Sequence, residues 1–432
     1  MAQFARGAGR SASGAQWRRY FHLLLPSRPG SPKVPGVIQD HSTAEYRCPD
    51  ETYPISRAVH LGRLAGFYPA CRHCPRRDDP IGLSARQICQ LAEIGSRAQP
   101  RPLFRAEGVG GVPINDLSPT VARRIAVEFA RRITGTETRP RSSQATAVIA
   151  NDGRLATAAI IAAIVEGVRW TGCTAIDIGP AGAPCTARAI QHLAAEGGIF
   201  VGNAGGAPHT VGLKFWAHGG PLSQGGLLDD VAASLRTGCG EAMLDRPTRR
   251  FGPLQRFAAE EVYLGDLRPA YHALRPLRFV LDCTAGPVVA CLEELIRNVD
   301  CRIIFSETAS KRLGEQVVAA GAHFGIRIGD DGENCHVVDE RGRSIEAERL
   351  FALIAGNFAA RAVHGEELRQ QTFLRMRESG AAIAADTAGR LWYAAGHSPL
   401  PDALRTLTLL LVLLSRQDLA FSAVLDGETT VV

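Results

Sequence analysis

Acidic residues are absent from the start of the chain, where Asp40 is the first. The basic residues that precede it are Arg6, Arg10, Arg18, Arg19, Arg28 and Lys33. A basic stretch rich in Gly, Ser and Pro cannot bury enough apolar surface to order itself, so residues 1–44 are expected to be a disordered tail. The same composition is typical of an organelle transit peptide, so organelle import is an alternative to a cytoplasmic location. The net charge of the chain is +6, which leaves the remainder near neutral and predicts no nucleic-acid-binding surface.

Long apolar runs and a secretory signal are missing as well. The longest run, LTLLLVLL at 407–414, is too short to cross a bilayer and predicts a buried helix. No transmembrane segment is therefore expected. Because no secretory signal is visible, the eleven cysteines are expected to stay reduced, and most of them occur singly in apolar segments typical of a core.

One pair of cysteines has the spacing of a metal half-site. Cys71 and Cys74 form a C-x-x-C turn, which is the usual half of a tetrahedral zinc site. Cys48 is the expected third ligand, and the fourth would be His60, His73 or Cys89. A closed site of four ligands would be structural, since it leaves no position for a substrate. The alternative is that the pair are surface thiols. Residues 45–100 are thus expected to form a Cys-rich helical module, with a helix over Pro54–Phe67.

From residue 101 onward, apolar runs of strand length alternate with helical patterns. The predicted elements are strand Ala145–Ala150, helix Leu155–Thr171, strand Cys173–Ile178, helix Cys185–Glu196 and strand Gly198–Val201. A second unit begins at Leu277 with the strand RFVLDC. This alternation predicts α/β domains in tandem with parallel sheets, whose ligands collect at the carboxyl ends of the strands.

The loop after the third strand lacks reactive side chains. It reads GNAGGAPHTVGLKFW, from Gly202 to Trp216, and its small residues would let the backbone approach a ligand closely. No hydroxyl, thiol or carboxylate lies between Gly202 and His209, and Lys214 is the charged residue of the stretch.

Five segments occur in a fixed order along the chain. They are LFRAEGVGGVPINDLSPTVARRIAVEFARRI (103–133), TAVIANDGRLATAAIIAAIVEGVRWTGCTAIDIGPAGAP (146–184), the small-residue loop (202–216), GIRIGDDGENCHVVDERGR (325–343) and AADTAGR (384–390). Their order and spacing resemble the α-D-phosphohexomutases, which have an opening F-G-T-D-G-I-R-G, a G-x-D-x-R loop, a reactive loop T-A-S-H-N-P-P-x-x-N-G-x-K-F, a metal loop D-G-D-G-D-R and a sugar loop G-E-x-S-G-H. The resemblance implies domains at 101–250, 251–322 and 323–432, the last two shortened, with the family's fourth domain absent.

The resemblance also implies a mechanism and a set of site residues. In the family, a phosphoserine exchanges its phosphate with a bound hexose phosphate, and a magnesium ion held by three carboxylates neutralises charge on the transferred group. The serine position is Ala204 here, and the carboxylate positions are Gly329, Asp331 and Glu333. Two carboxylates would hold Mg²⁺ more weakly than three. No catalytic residue is therefore intact.

Five residues are expected to contact the substrate by the same resemblance. They are Asp152, Arg154, Lys214, Asp386 and Arg390. Lys214 could instead be a solvated lysine at the rim, and Asp152 and Arg154 could hold their own loop by a salt bridge. Asp330 is a further candidate ligand of the metal, and His336 is another, together with Asp331 and Glu333; the alternative for His336 is a histidine packed on a strand.

These departures predict a degenerate phosphohexomutase. The expected protein is non-catalytic or strongly impaired and binds a hexose phosphate or a protein partner. One alternative is an active intramolecular phosphotransferase of carbohydrate metabolism. The other is a zinc-stabilised interaction protein, in which the Cys-rich module recruits a partner.

Overall fold

The computed structural model describes residues 103–427 apart from 114–115, 135–144, 205–209, 237–250, 307–311 and 395–397, together with scattered positions between Arg47 and Ile88. The chain divides into two compact units, residues 1–60 and 61–432. The described residues before Leu103 include one helix, α1 (Arg57–Ala65), which lies within the helix predicted over Pro54–Phe67. The predicted tail lies outside the described residues.

The first sheet contains the strands of the predicted alternating segment. Its strands are β1 (Phe104–Arg105), β2 (Gly108–Gly111), β3 (Thr146–Asn151), β4 (Thr174–Pro180), β5 (Gly197–Gly202), β6 (Val211–Ala217), β7 (Gly220–Pro221) and β8 (Leu254–Arg256). They are ordered β1-β2-β6-β5-β3-β4-β8, and β7 pairs with β6. β3 pairs in parallel with β4 and β5, while β6 runs antiparallel to β5. The predicted α/β class with mixed sheets is confirmed.

Helices cover both faces of this sheet. They are α2 (Pro119–Thr134), α3 (Ala158–Trp170) after a 3₁₀ turn at Leu155–Thr157, α4 (Ala183–His192) and α5 (Leu227–Arg236). α2 forms because its buried residues, among them Ile125, Phe129 and Ile133, recur at helical spacing along one face. α4 begins after Gly182 with Pro184 in its first turn, where a proline loses no hydrogen bond.

The second sheet has the order β10-β9-β11-β12-β13. Its elements are β9 (Arg278–Asp282), β10 (Arg302–Phe305), β11 (Phe324–Ile328), β12 (Cys335–Asp339) and β13 (Ser344–Ile345), with helices α6 (Ala259–Leu267), α7 (Gly286–Ile296) and α8 (Leu313–Ala320) and a 3₁₀ turn at Arg268–Ala270. The expected domain boundary between residues 322 and 323 is wrong, because β11 pairs in parallel with β9. The expected boundary at 250 also cuts the first sheet, since β8 pairs with β4.

The third sheet is short and has the order β14-β15-β16-β17. Its strands are β14 (Ala362–His364), β15 (Ile383–Ala385), β16 (Leu391–Tyr393) and β17 (Leu400–Pro401), and the helices around it are α9 (Ala347–Phe358), α10 (Arg369–Ser379), α11 (Ala403–Ser415) and α12 (Phe421–Gly427). α11 contains the LTLLLVLL run, and its leucines are buried as predicted except Leu409, which is partly buried. No helix in the described part of the chain is both long and apolar enough to span a membrane.

Two apolar cores position the sheets. One lies between the first sheet and α2, α3 and α5, and includes Ile125, Ile164 and Phe215. The other begins on the opposite face of that sheet and continues through the second and third sheets, including Phe200, Phe279 and Leu407. Because this second core is continuous, the loops at the edges of the three sheets are held close together.

A buried carboxyl at the start of α11 makes stability depend on pH. Asp402 Oδ1 accepts hydrogen bonds from Arg405 N at 3.0 Å and from Tyr263 Oη at 2.9 Å. Burial raises the pKa of Asp402 to about 6, from 3.8 in an unfolded chain. The folded state thus binds the proton of Asp402 more tightly than the unfolded chain does. The stability that this difference contributes is present below about pH 4 and is lost as the pH rises through 6.

We therefore expect Asp402→Asn to remove this part of the pH dependence. Between pH 4 and 7 the native chain should lose about 2–3 kcal/mol of unfolding free energy relative to the variant. Urea denaturation at both pH values measures the difference, and Asp426→Asn at an exposed ion pair serves as the control. Identical pH profiles for the native chain and Asp402→Asn would contradict the assignment.

Candidate functional site

The small-residue loop joins β5 to β6. Gly202 ends the first strand and Val211 begins the second, while residues 205–209 lie outside the described part of the chain. Ala204 has φ +50°, in the left-handed region that residues with a Cβ seldom adopt. A Cβ at Gly212 would lie 2.7 Å from the Ala204 methyl group, so glycine is needed there for the loop to pack against β6. Ala204, which the sequence predicts at the family's serine position, therefore presents a methyl group beside Gly212.

Lys214 lies on β6, and its side chain is only 5% exposed. Its Nζ is 2.7 Å from Asp331 Oδ2 and 2.6 Å from Glu333 Oε2. Both carboxylates belong to the turn between β11 and β12, where Asp331 Oδ1 also accepts from Glu333 N at 3.1 Å. The interpretation of Lys214 as a solvated rim lysine is wrong, because β6 is buried along its whole length.

The positive charge of Lys214 lowers the pKa of the neighbouring Asp331 carboxyl group. Burial by itself raises the pKa of Asp331, but the ammonium group of Lys214 outweighs burial and holds the pKa below its usual value. Asp331 is therefore ionised at neutral pH, as is required for an ion pair.

Arg369, the first residue of α10, is fully buried and pairs with the same turn. Its NH2 lies 2.5 Å from Glu333 Oε1, and its guanidinium lies over the Trp216 ring at 5.0 Å from the centroid. Its backbone N donates to Glu107 Oε1 at 3.0 Å. Sequence reasoning missed Arg369, since nothing in the RQQTFLRMRES pattern distinguishes it from the other arginines of the helix.

Glu107 lies in the turn between β1 and β2 and was also missed. It accepts two bonds from Arg390, at 2.6 Å from NH1 and 2.7 Å from NH2. Burial raises the pKa of Glu107, and its bonds and charge interaction with Arg390 bring it below the usual value. Gly108 follows with φ +148°, and a Cβ there would lie 2.2 Å from the Leu213 carbonyl oxygen, so this turn requires glycine.

Asp386 and Arg390 occupy the turn between β15 and β16. Arg390 Nε donates to Asp386 Oδ2 at 2.6 Å, and the Trp392 indole Nε1 donates to the same oxygen at 2.9 Å. Asp386 Oδ1 accepts from the backbone N of Ala388 and of Arg390, both at 3.0 Å. The Asp386 side chain has no exposed surface.

These contacts form one buried ion-pair network that joins turns of all three sheets. Its members are Glu107, Lys214, Asp331, Glu333, Arg369, Asp386 and Arg390. Three of the five residues expected to contact substrate, Lys214, Asp386 and Arg390, are thus brought together. Lys214 and Arg390 bind carboxylates of the protein itself, and Asp386 binds Arg390.

Asp152 and Arg154 lie apart from this network, in the turn after β3. Arg154 Nε is 2.5 Å from Asp152 Oδ2, which matches the predicted loop-holding salt bridge. The pair lines a cavity of about 610 Å³ together with Thr284 at the start of α7. A substrate role for either residue stays a prediction.

A second cavity, of about 550 Å³, lies beside the β11–β12 turn. Its lining includes the carboxylates of Asp282, Asp330, Asp331 and Glu346. Arg327 is the cation in the described lining, and its Nε pairs with Asp282 at 2.7 Å. Such an excess of negative charge disfavours a phosphate group. Asp330 does not join the other carboxylates, because it binds Asn203 and Thr284, and His336 pairs with Ser344 Oγ at 2.7 Å.

The residues do not fit the magnesium site of the resemblance. The first carboxylate position is Gly329, where a Cβ would lie 2.2 Å from Asn334 Oδ1, and the remaining two carboxylates bind Lys214. Among the described residues, no group of three or more His, Cys, Asp and Glu side chains is arranged to hold a metal ion.

The zinc site stays a prediction. Cys71 and Cys74 are buried, so the alternative that they are surface thiols is wrong, while Cys48 lies outside the described residues. His60 is buried, within the first compact unit.

Comparison with known proteins finds similar sequences among the phosphohexomutases. A family model described as "Phosphoglucomutase/phosphomannomutase, alpha/beta/alpha domain I" matches residues 101–230, which contain the Ala204 loop and Lys214. The chain is 29% identical over 270 residues to the phosphoglucosamine mutase of Renibacterium salmoninarum, and 28% identical over 279 residues to that of Clavibacter sepedonicus. Residues 101–230 thus resemble the first domain of the phosphoglucomutases and phosphomannomutases, and the chain as a whole is similar to phosphohexomutases.

Solved phosphohexomutase structures share the fold. A phosphoglucomutase/phosphomannomutase family protein of Burkholderia thailandensis matches with a TM-score of 0.65 at 19% identity, over 75% of this chain and 79% of the other. Parafusin, a phosphoglucomutase of Paramecium, matches with a TM-score of 0.60 at 11% identity, over 76% of this chain and 74% of the other. The match to the Renibacterium enzyme covers 59% of each chain, and that to the Clavibacter enzyme covers 60% of each. The chain thus spans about three fifths of the length of the curated mutases that it matches.

Proposed function

We propose that this phosphohexomutase homologue is non-catalytic and binds a protein partner. The observation that carries the proposal is Ala204, at the position of the family's reactive serine. A methyl group cannot accept a phosphoryl group, and removing a covalent nucleophile lowers kcat by about six orders of magnitude in a serine hydrolase. The nearest hydroxyl along the following sequence is that of Thr210, a buried residue just before β6.

A hexose phosphate is the less favoured ligand because the cations expected to hold it are engaged. Lys214 is bound to two carboxylates, and Arg390 is bound to Glu107 and Asp386. A phosphate would have to displace these buried contacts, at a cost of several kcal/mol for each uncompensated charge. The predicted basic tail (1–44) and Cys-rich module (45–100) are the segments that we expect to recruit the partner.

An active intramolecular phosphotransferase is the second candidate. Its support is that curated relatives are named phosphoglucosamine mutase and that Lys214, Asp331 and Glu333 remain close together. This candidate requires a phosphoryl acceptor other than residue 204.

The decisive experiment is intact-mass spectrometry of the full chain after incubation with glucose 1,6-bisphosphate. We expect the native chain to gain no phosphoryl group and to show no turnover of glucose 1-phosphate or glucosamine 6-phosphate above background. Ala204→Ser restores the hydroxyl, and Ala388→Ser is the matched control, because it adds the same hydroxyl in the sugar loop.

A phosphorylated native chain, or turnover that Asp331→Ala abolishes, would eliminate the non-catalytic proposal. An adduct on Ala204→Ser that is absent from Ala388→Ser would assign the lost acceptor to residue 204. A large rise in Tm with hexose phosphates would favour a sugar-phosphate ligand over a protein partner.

A further inference from the structure

The acidic cavity, the space of about 550 Å³ beside the β11–β12 turn, lies where turns of all three sheets meet. Its wall includes Asn203 after β5, Thr284 after β9, Asp330 in the β11–β12 turn and Gly389 in the β15–β16 turn. Ligand sites of α/β proteins collect at such junctions of strand ends and measure about 300–1,000 Å³. The cavity therefore has the position and the size of a binding site.

Two carboxylates of the lining lack a cationic partner. Of the four, two are neutralised, one by Arg327 and one by Lys214. The other two belong to Asp330 and Glu346, and in the part of the chain that the structure describes no Lys or Arg group lies at ion-pairing distance from either. Their charge attracts a cation and repels a phosphate.

Asn203 provides an independent sign of a ligand, because one of its polar atoms is buried without a partner. The residue is only 6% exposed, and its Nδ2 donates to Asp330 Oδ2 at 2.5 Å. This bond fixes the orientation of the amide, since the carboxylate would repel the amide oxygen. Asn203 Oδ1 then has no hydrogen-bond donor among the described residues. A buried acceptor without a donor destabilises the protein, so the ligand that this wall favours is one that donates hydrogen bonds.

A guanidinium group matches both observations. It carries a positive charge and five N–H donors in a planar fork, so it can donate to a carboxylate and to a neighbouring amide oxygen at the same time. The Asp330 oxygens accept from Asn203 and Thr284, and each has a further lone pair for such a donor. The ammonium group of a lysine is more strongly hydrated and would lose more on entering the cavity.

We propose that the acidic cavity binds an arginine side chain of the protein partner, with the guanidinium group held by Asp330 and Asn203 Oδ1 and attracted by Glu346. The inference rests on the partner binding proposed above and names the group that the partner contributes. It concerns a different face of the chemistry from the loss of the serine, since it requires a cation and no phosphoryl acceptor.

Fluorescence anisotropy with the full chain and a labelled peptide, acetyl-Gly-Arg-Gly-Arg-Gly-amide, tests the site. The control peptide carries citrulline in place of arginine, which keeps the shape of the side chain and removes its charge. We expect one arginine peptide to bind per chain, with a Kd about tenfold or more below that of the citrulline peptide. Asp330→Asn and Asn203→Ala should each raise the Kd about tenfold.

The matched control variant is Glu378→Gln, which removes one negative charge from an exposed position on α10 and should leave the Kd unchanged. If Asp330→Asn or Asn203→Ala does not fold, Glu346→Gln takes its place, because Glu346 is exposed and its loss leaves the packing intact. That variant should raise the Kd about two- to fivefold.

Three results would overturn the arginine site. They are equal affinity for the two peptides, an unchanged Kd in a folded Asp330→Asn, and absence of saturable binding up to about 10 mM peptide. Stoichiometric Mn²⁺ that displaces the peptide would assign the cavity to a metal ion and overturn the site as well. A chain that binds the arginine peptide but is phosphorylated by glucose 1,6-bisphosphate would keep the site and eliminate the non-catalytic proposal. A chain that does neither would eliminate the site alone.

Discussion

Replacement of Lys214 by Met is expected to lower the free energy of unfolding by about 3–5 kcal/mol at pH 7. The variant keeps Asp331 and Glu333 buried but removes the ammonium group that lies 2.7 and 2.6 Å from their oxygens. Glu333 retains Arg369, whereas Asp331 retains only its backbone donor within the part of the chain that the structure describes. An uncompensated charge in a buried site is the main source of the loss, because Met fills much of the volume of Lys.

Chemical denaturation across pH measures this loss and its cause. In the native chain the pKa of Asp331 is lowered. The stability that ionised Asp331 contributes is therefore present above its unfolded pKa of 3.8 and is lost as the pH falls below that value. In the variant, Asp331 can escape its unfavourable charge by protonation, so the deficit should shrink on acidification. Arg327→Met is the control, because Arg327 pairs with Asp282 while 56% exposed and should change stability by about 0–1 kcal/mol. A deficit for Lys214→Met no larger than that of Arg327→Met would refute the network's structural role.

Arg390→Met is expected to destabilise the chain by a similar amount, about 3–5 kcal/mol. Arg390 makes two bonds to Glu107 and one to Asp386, with its side chain only 7% exposed. Its loss leaves the Asp386 carboxylate with two backbone donors and Trp392, and leaves Glu107 with the backbone N of Arg369.

The chain contains a matched control for this variant in the turn between β12 and β13. Asp339 and Arg343 repeat the arrangement, with Arg343 Nε 2.7 Å from Asp339 Oδ2 and two backbone N atoms bound to Oδ1. Arg343, however, is 52% exposed and has no second carboxylate at hydrogen-bonding distance among the described residues. Arg343→Met should therefore lower stability by about 0–1 kcal/mol. If urea denaturation gives equal losses of unfolding free energy for Arg343→Met and Arg390→Met, then the burial of Arg390 and its pairing with Glu107 add no stability.

The fold was predictable where burial imposes a repeating pattern on the sequence. Strands β3 and β5 and the first half of β4 are buried, so they appear as short apolar runs, and α3 carries apolar residues at helical spacing. The boundary at 322 was not predictable in this way. Strand β11 is an apolar run like the others, and the run does not record that its partner is β9.

The candidate site was predictable only in part. Ala204, Lys214, Asp331, Glu333, Asp386 and Arg390 were found because they lie in loops that resemble the family's motifs. Glu107 and Arg369 were not found, since each reaches the network from an ordinary turn or helix start. The sequence also left Lys214 open to two interpretations, because the two carboxylates that it binds lie more than 100 residues away along the chain.

By itself, the order of residues determined the α/β class, the resemblance to the phosphohexomutases and the methyl group at position 204, because periodicity, motif spacing and side-chain chemistry are local properties. Only the tertiary structure decided that the charged residues of the motifs bind one another. That outcome depends on three sheets sharing one continuous apolar core, which brings their turns together away from water. In that setting a lysine beside two carboxylates is an ion pair held at fixed distance, whereas the same three residues in an open loop would each be solvated.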